Sequence, residues 1–175
     1  IISGSEPVYV DSSGLLVLNK DMPLRKVILA NGEYYHVFNR GVNKAKIFFK
    51  TKDYSRFLFT SKYYSFENSP VKYSRFIKIQ KDIRSEKWKA LETSKRQVSI
   101  LCYCLMPNHY HFLLRQETDN GISNFIKKLQ TSFALYSNIK YKKQGPLWTG
   151  QFKAVRVLDD SQLLHLSRYI HLNPI

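Results

Sequence analysis

Apolar and polar positions change period several times along this chain, and each change marks an element. GEYYHVFNRG, residues 32–41, is rich in aromatic and β-branched side chains and predicts a strand ending in a turn at Arg40-Gly41. KIFFK, residues 46–50, reads as a second, short strand. KDYSRFLFTSKYYSF, residues 52–66, switches to helical spacing, with apolar groups at 54, 57, 58 and 64 behind an acidic start. QVSILCYCLM and HYHFLLRQ are separated only by Pro107-Asn108 and predict two strands at the centre of a sheet. Residues 119–141 return to the helical period, with apolar positions 122, 125, 126, 129, 133 and 136 and with Lys127 and Lys128 on the other face. KKQGPLWTGQFKAVRV leads through a Gly-Pro turn into an extended segment. DDSQLLHLSRYIHLNP opens on acidic and serine capping candidates and stops at Pro174, as a last helix would. The order β, α, β, β, α, then helix predicts an α+β domain, a central antiparallel sheet flanked by helices.

Two stretches depart from this rhythm. Residues 1–21 hold more acidic than basic groups, whereas a basic stretch starts at Met22. They read as a leader or an atypical N-terminal segment, such as a separate edge hairpin, ahead of a domain spanning 22–175. Residues 67–96 combine Pro70, scattered aromatics and many charges, with a helix expected around IRSEKWKALETSK, and read as an insertion.

Composition narrows the class. A chain of 175 residues with 43% hydrophobic side chains can fill one core without staples. Twenty-eight Lys and Arg against 13 Asp and Glu leave a formal charge of +15, which points to a polyanion, and 12 tyrosines and 11 phenylalanines among the lysines favour a partner with bases to stack. No apolar run reaches membrane-spanning length and no signal-peptide layout opens the chain, so the expectation is a cytoplasmic protein with no membrane partner. Cys102 and Cys104 are one residue apart, too close for an unstrained bridge on one strand, which suits a reducing compartment. The same spacing argues against zinc, whose cysteine pairs are usually two to four residues apart.

His109 and His111 carry the candidate chemistry. On a strand they share a face, with Tyr110 on the other, so two imidazoles stand side by side. By themselves they are equally a hydrogen-bonded structural pair. Tyr169 and Asn173 are four apart and share a face of the last helix. They could converge with the histidines, or could be a core aromatic and a helix-terminal residue before Pro174.

YYHVFNRG, LMPNHYHFLL, GPLWTGQFKAVRV and RYIHLNP, in this order across residues 22–175, resemble the HUH single-tyrosine transposases and, within them, the REP-associated tyrosine transposases. The resemblance implies a ferredoxin-like HUH domain in which His109 and His111 bind a divalent metal, Mg²⁺ or Mn²⁺. It makes Tyr169 the nucleophile and Asn173 the third ligand, although the family often has a glutamine there. His165, one turn earlier, competes for that place. The implied activity is cleavage and rejoining of single-stranded DNA, at or beside a hairpin, through a 5′-phosphotyrosine, by a monomer or a homodimer. Arg40, Lys127, Lys128, Lys140, Lys142, Lys143, Lys153 and Arg156 are candidates for a DNA track. Trp148 is either a core plug or a base-stacking platform. The alternative is a non-catalytic nucleic-acid-binding module on the same fold, with structural histidines.

Overall fold

The computed structural model describes residues 27–172, together with a two-rung antiparallel ladder between β1 (Tyr9–Val10) and β2 (Leu16–Val17). The remainder of the N-terminal segment and Asn173 lie outside the described residues. The main sheet consists of β3 (Tyr34–Arg40), β4 (Val98–Met106), β5 (His109–Gln116) and β6 (Lys153–Arg156), in the spatial order β4-β5-β3-β6 with every neighbour antiparallel. Helices α1 (Thr51–Tyr64), α2 (Tyr73–Phe76) and α3 (Lys81–Glu92) lie between β3 and β4, α4 (Gly121–Tyr141) between β5 and β6, and α5 (Asp160–Leu172) after β6. With α2 and α3 set aside as an excursion, the path is βαββαβ in ferredoxin-like order, followed by one helix.

The two faces of the sheet differ. Tyr35 and Val37 of β3 and Tyr110, Phe112 and Leu114 of β5 point into the larger core. There they meet Phe57 of α1 and Ile122, Phe125, Ile126, Leu129 and Phe133 of α4, the stripe expected from the helical period. The opposite face holds a smaller cluster of Cys102, Cys104, Leu113, Val157 and Ile170, which seats α5. Both thiols are free and buried, and burial pushes both up in pKa. Because β-strands alternate, the residues between the core-facing ones in β3 and β5, His36, Phe38, His109 and His111, lie on the α5 side.

Two sequence expectations are corrected. KIFFK is not a strand: Ile47 and Phe48 are buried, but their N–H groups donate to the Pro107 carbonyl at 2.8 and 3.0 Å, and the run is a loop feeding α1. Its apolar character comes from plugging the core. The strands 97–106 and 109–116 do not share the centre: β5 is central and buried almost throughout, whereas β4 is an edge with Leu101 and Tyr103 exposed and a bulge between Ile100 and Cys102. The expected insertion is an excursion whose ends meet at an isolated bridge between Phe66 and Arg96. The Gln97 amide donates to the Tyr64 and Phe66 carbonyls beside it. Trp148 is 9% exposed, with its ring 5.5 Å from Tyr110 and Nε1–H donating to the Gln130 carbonyl, so it is a core residue. No helix among the described residues is long and apolar enough to cross a membrane.

Candidate active site

The antiparallel register of β3 and β5 gathers three histidines on the α5 side. Phe38 lies opposite His111 and Arg40 opposite His109, while His36 lies opposite Leu113. His36 Nε2 is 2.8 Å from His111 Nδ1, and the two rings stack with centroids 5.0 Å apart. His109 stands 5.0 Å from His111 with its ring nearly perpendicular, and its Nδ1 is 2.6 Å from Asn108 Oδ1. Each motif histidine thus has Nδ1 engaged and no hydrogen-bond partner at Nε2 among the described residues.

Electrostatics keep these rings neutral. Burial lowers the pKa of His36; burial and then the Arg40 charge lower that of His109. Burial, followed by its two imidazole neighbours, takes His111 down to about 4. Near pH 7 the rings therefore present lone pairs rather than charges.

Helix α5 brings a tyrosine to this face. Its N-terminus is closed by paired side chains: Gln162 N–H donates to Asp159 Oδ1 at 2.7 Å, and Leu158 N–H donates to Gln162 Oε1 at 2.7 Å. Ile170 is wholly buried in the smaller cluster and sets the rotation of the helix. Tyr169, on the flank, is 53% exposed, with its ring edge-on to His111 at 6.0 Å and to His36 at 6.4 Å. Its hydroxyl has no hydrogen-bond partner among the described residues. It opens on a cleft of ≈ 280 Å³ between β6 and α5, lined also by His36, Val155, Gln162 and His165.

The other tyrosines near the candidate residues are committed elsewhere. Tyr110 is fully buried on the opposite face, accepts a hydrogen bond from Gln130 and has its pKa raised by burial. Tyr136 and Tyr141 both donate to Asp53, at 2.9 and 2.6 Å. Lys140 donates to the same carboxylate at 2.6 Å, which gives this basic candidate a structural partner. Arg40 and Lys153 are exposed, Arg40 at the His109 end and Lys153 opposite Phe38. Arg156 is paired with Glu33 at 2.7 Å, and Lys143 lies over the Phe49 ring at 4.3 Å. Lys127 and Lys128 are exposed on α4, across the sheet from Tyr169, and Lys142 is exposed beyond its end. The basic candidates are therefore divided between two faces.

Among the described residues no three His, Cys, Asp or Glu side chains are arranged to hold an ion. The donor chemistry nevertheless fits a divalent cation in part: two neutral imidazoles, each with the distal nitrogen hydrogen-bonded, as metal-binding histidines usually are. A third protein donor would come from beyond them, and Asn173 lies outside the described residues. His36 and Asn108 were not among the sequence candidates. A polar ring at an alternating position of an apolar strand is the signal for His36; Asn108 could be noticed only as the neighbour of His109.

Comparison with known proteins identifies the family of the chain. The REP-associated tyrosine transposase solved bound to a REP hairpin has 15% identity and a TM-score of 0.55, covering 87% of this chain and 73% of that one, which shows a shared fold. A protein of Deinococcus radiodurans R1 assigned as a transposase has 15% identity over 86% of this chain and 96% of that one, at a TM-score of 0.35. No curated protein is a significant match. The family model described as "Transposase IS200 like" matches residues 68–173, more than half of the sequence and the part that contains both motif histidines and Tyr169, and the chain belongs to that transposase family.

Proposed function

We propose that this transposase cleaves and rejoins single-stranded DNA, at or beside a hairpin, with Tyr169 as nucleophile. The observation that supports the reading is the exposed Tyr169 ring, 6.0 Å from His111 at the mouth of a cleft, while Tyr110, Tyr136 and Tyr141 are engaged in the fold. Tyr169 Oη forms a bond to phosphorus as the P–O3′ bond breaks. The phenol proton passes to solvent, and the departing 3′-oxygen takes one up. The products are a 5′-phosphotyrosine and a free 3′-hydroxyl. One ester replaces another, so rejoining needs no nucleotide cofactor.

His109 and His111 would hold Mg²⁺ or Mn²⁺ through Nε2, with Asn173 as a third donor. When bound, such an ion offsets phosphate charge and helps a phenol of pKa about 10 to react. Arg40 and Lys153, on the histidine side, would bind flanking phosphates. The hairpin preference draws on the REP hairpin bound by the related structure.

The test is a hairpin-bearing single strand labelled on its 3′ side, incubated with the protein and Mn²⁺. A covalent adduct is expected with the wild type, mapping to the peptide YIHLNP, and none with Tyr169→Phe, which should still bind DNA. An adduct that persists in Tyr169→Phe or maps to another tyrosine overturns the assignment. Tight binding with no adduct in the wild type would instead support the non-catalytic module.

A further inference from the structure

We propose that Asn108 and His36 are positioning residues that fix His109 and His111 in the one tautomer that leaves both Nε2 atoms free for a cation. The inference rests on the reading above, in which these two imidazoles are the cation's donors.

The Asn108 half follows from hydrogen-bond direction. Asn108 Nδ2 donates to the Lys44 carbonyl at 3.1 Å, so Oδ1 is the atom that faces His109 Nδ1 at 2.6 Å. An amide oxygen only accepts. His109 Nδ1 must carry the proton, and its lone pair is left on Nε2. The Lys44 carbonyl is itself held in place. Asn43 and Lys44 take left-handed backbone angles, and Gly41 N–H donates to the Asn108 carbonyl at 2.8 Å. A Cβ on Gly41 would collide with the Ala45 carbonyl, so the 41–45 turn that carries the Lys44 carbonyl can close in this form only with glycine there. Ile47 and Phe48 complete the grip through the Pro107 carbonyl.

His36 supplies the second half from a different strand. For His111 to offer Nε2, its Nδ1 donates and His36 Nε2, 2.8 Å away, accepts, with the His36 proton on Nδ1. The His36 ring stacks on His111 at 20° and Phe38 stacks on it at 5.6 Å, which restricts rotation of the imidazole. His111 is 8% exposed, so water cannot readily replace His36 as acceptor. Two sequence-distant segments thus do the same task for neighbouring rings, the role that outer hydrogen bonds play around metal-binding histidines.

The test has a readout that needs neither DNA nor metal. Long-range ¹H–¹⁵N spectra of the full chain labelled on histidine report each tautomer. Both motif histidines should be Nδ1–H in the wild type; His111 should lose that state in His36→Ala, and His109 in Asn108→Ala. Mn²⁺ titration of the same proteins by electron paramagnetic resonance should show affinity reduced about 10- to 100-fold by either substitution. His36→Gln, whose amide oxygen can reach the Nε2 position, should restore both readouts and guards against a variant that merely unfolds. An unchanged tautomer and unchanged Mn²⁺ affinity in His36→Ala and Asn108→Ala overturn the inference. Failure of the wild type to bind Mn²⁺, with the tautomer shifts occurring as described, overturns the cation reading and leaves the positioning hydrogen bonds standing.

Discussion

Asp53→Asn should carry a large structural consequence while leaving the candidate active site untouched. The carboxylate is fully buried and accepts five hydrogen bonds, from the N–H groups of Phe49 and Lys50 at the start of α1 and from Tyr136, Lys140 and Tyr141 at the end of α4. Burial alone would raise its pKa, but hydrogen bonds from Lys140, Tyr141 and the two backbone groups outweigh burial and hold the carboxyl well below the usual carboxylate range. Counted singly, charge-assisted bonds of about 1.5–3 kcal/mol each would overstate the effect, because they are not independent. Lys140 keeps 28% of its side chain exposed and regains water when its partner is lost. A buried pair broken on one side costs about 3–5 kcal/mol, and that is the loss expected for Asp53→Asn. In a domain of this size it corresponds to a fall in melting temperature of roughly 6–20 °C. Urea denaturation at pH 7 measures it directly. A pH series adds a second check, since the unfolded carboxyl, with pKa about 4, binds its proton before the folded one. The contribution is complete above that pKa and is lost as pH falls toward the depressed folded value, so Asp53→Asn should flatten this part of the stability curve. A loss below about 1 kcal/mol, within the range of an exposed ion pair, would refute the reasoning.

DNA affinity should fall about 10³- to 10⁵-fold between roughly 50 and 200 mM salt if 6–10 phosphates are contacted, measured by fluorescence anisotropy; a flat response would exclude a phosphate track. His109→Ala and His111→Ala should each abolish the covalent adduct in a gel assay while leaving DNA binding largely intact, because lysine–phosphate contacts do not require the ion. Tyr136→Phe and Tyr141→Phe should retain the adduct and lose stability through Asp53, by about 0.5–2 kcal/mol each in urea melts. Trp148→Ala should destabilise by about 3–5 kcal/mol; an almost neutral change with a large loss of DNA affinity would return it to a base-stacking role.

Much of the architecture was legible because periodicity is local. The stripe at 122, 125, 126, 129 and 133 of α4 and the alternation of YYHVF and HYHFLL are set by residues two to four positions apart, and they account for which side chains face the larger core. The side-by-side placement of His109 and His111 follows from the same alternation. Local pattern does not separate an edge from a centre, so β4 and β5 look alike, nor a buried plug from a strand, as at Ile47 and Phe48. It also does not show which tyrosines the fold engages. Tyr136, Tyr141 and Lys140 resemble a functional patch until Asp53, 83 to 88 residues earlier, is folded against them. His36 meets His111 across 75 residues of chain, brought together by the register of β3 against β5. Sequence by itself thus determined most of the elements, their faces and the chemistry available on each. Tertiary structure alone decided which polar groups are consumed in holding the fold and which stay exposed for chemistry, because that depends on pairing between distant segments, and no local period encodes it.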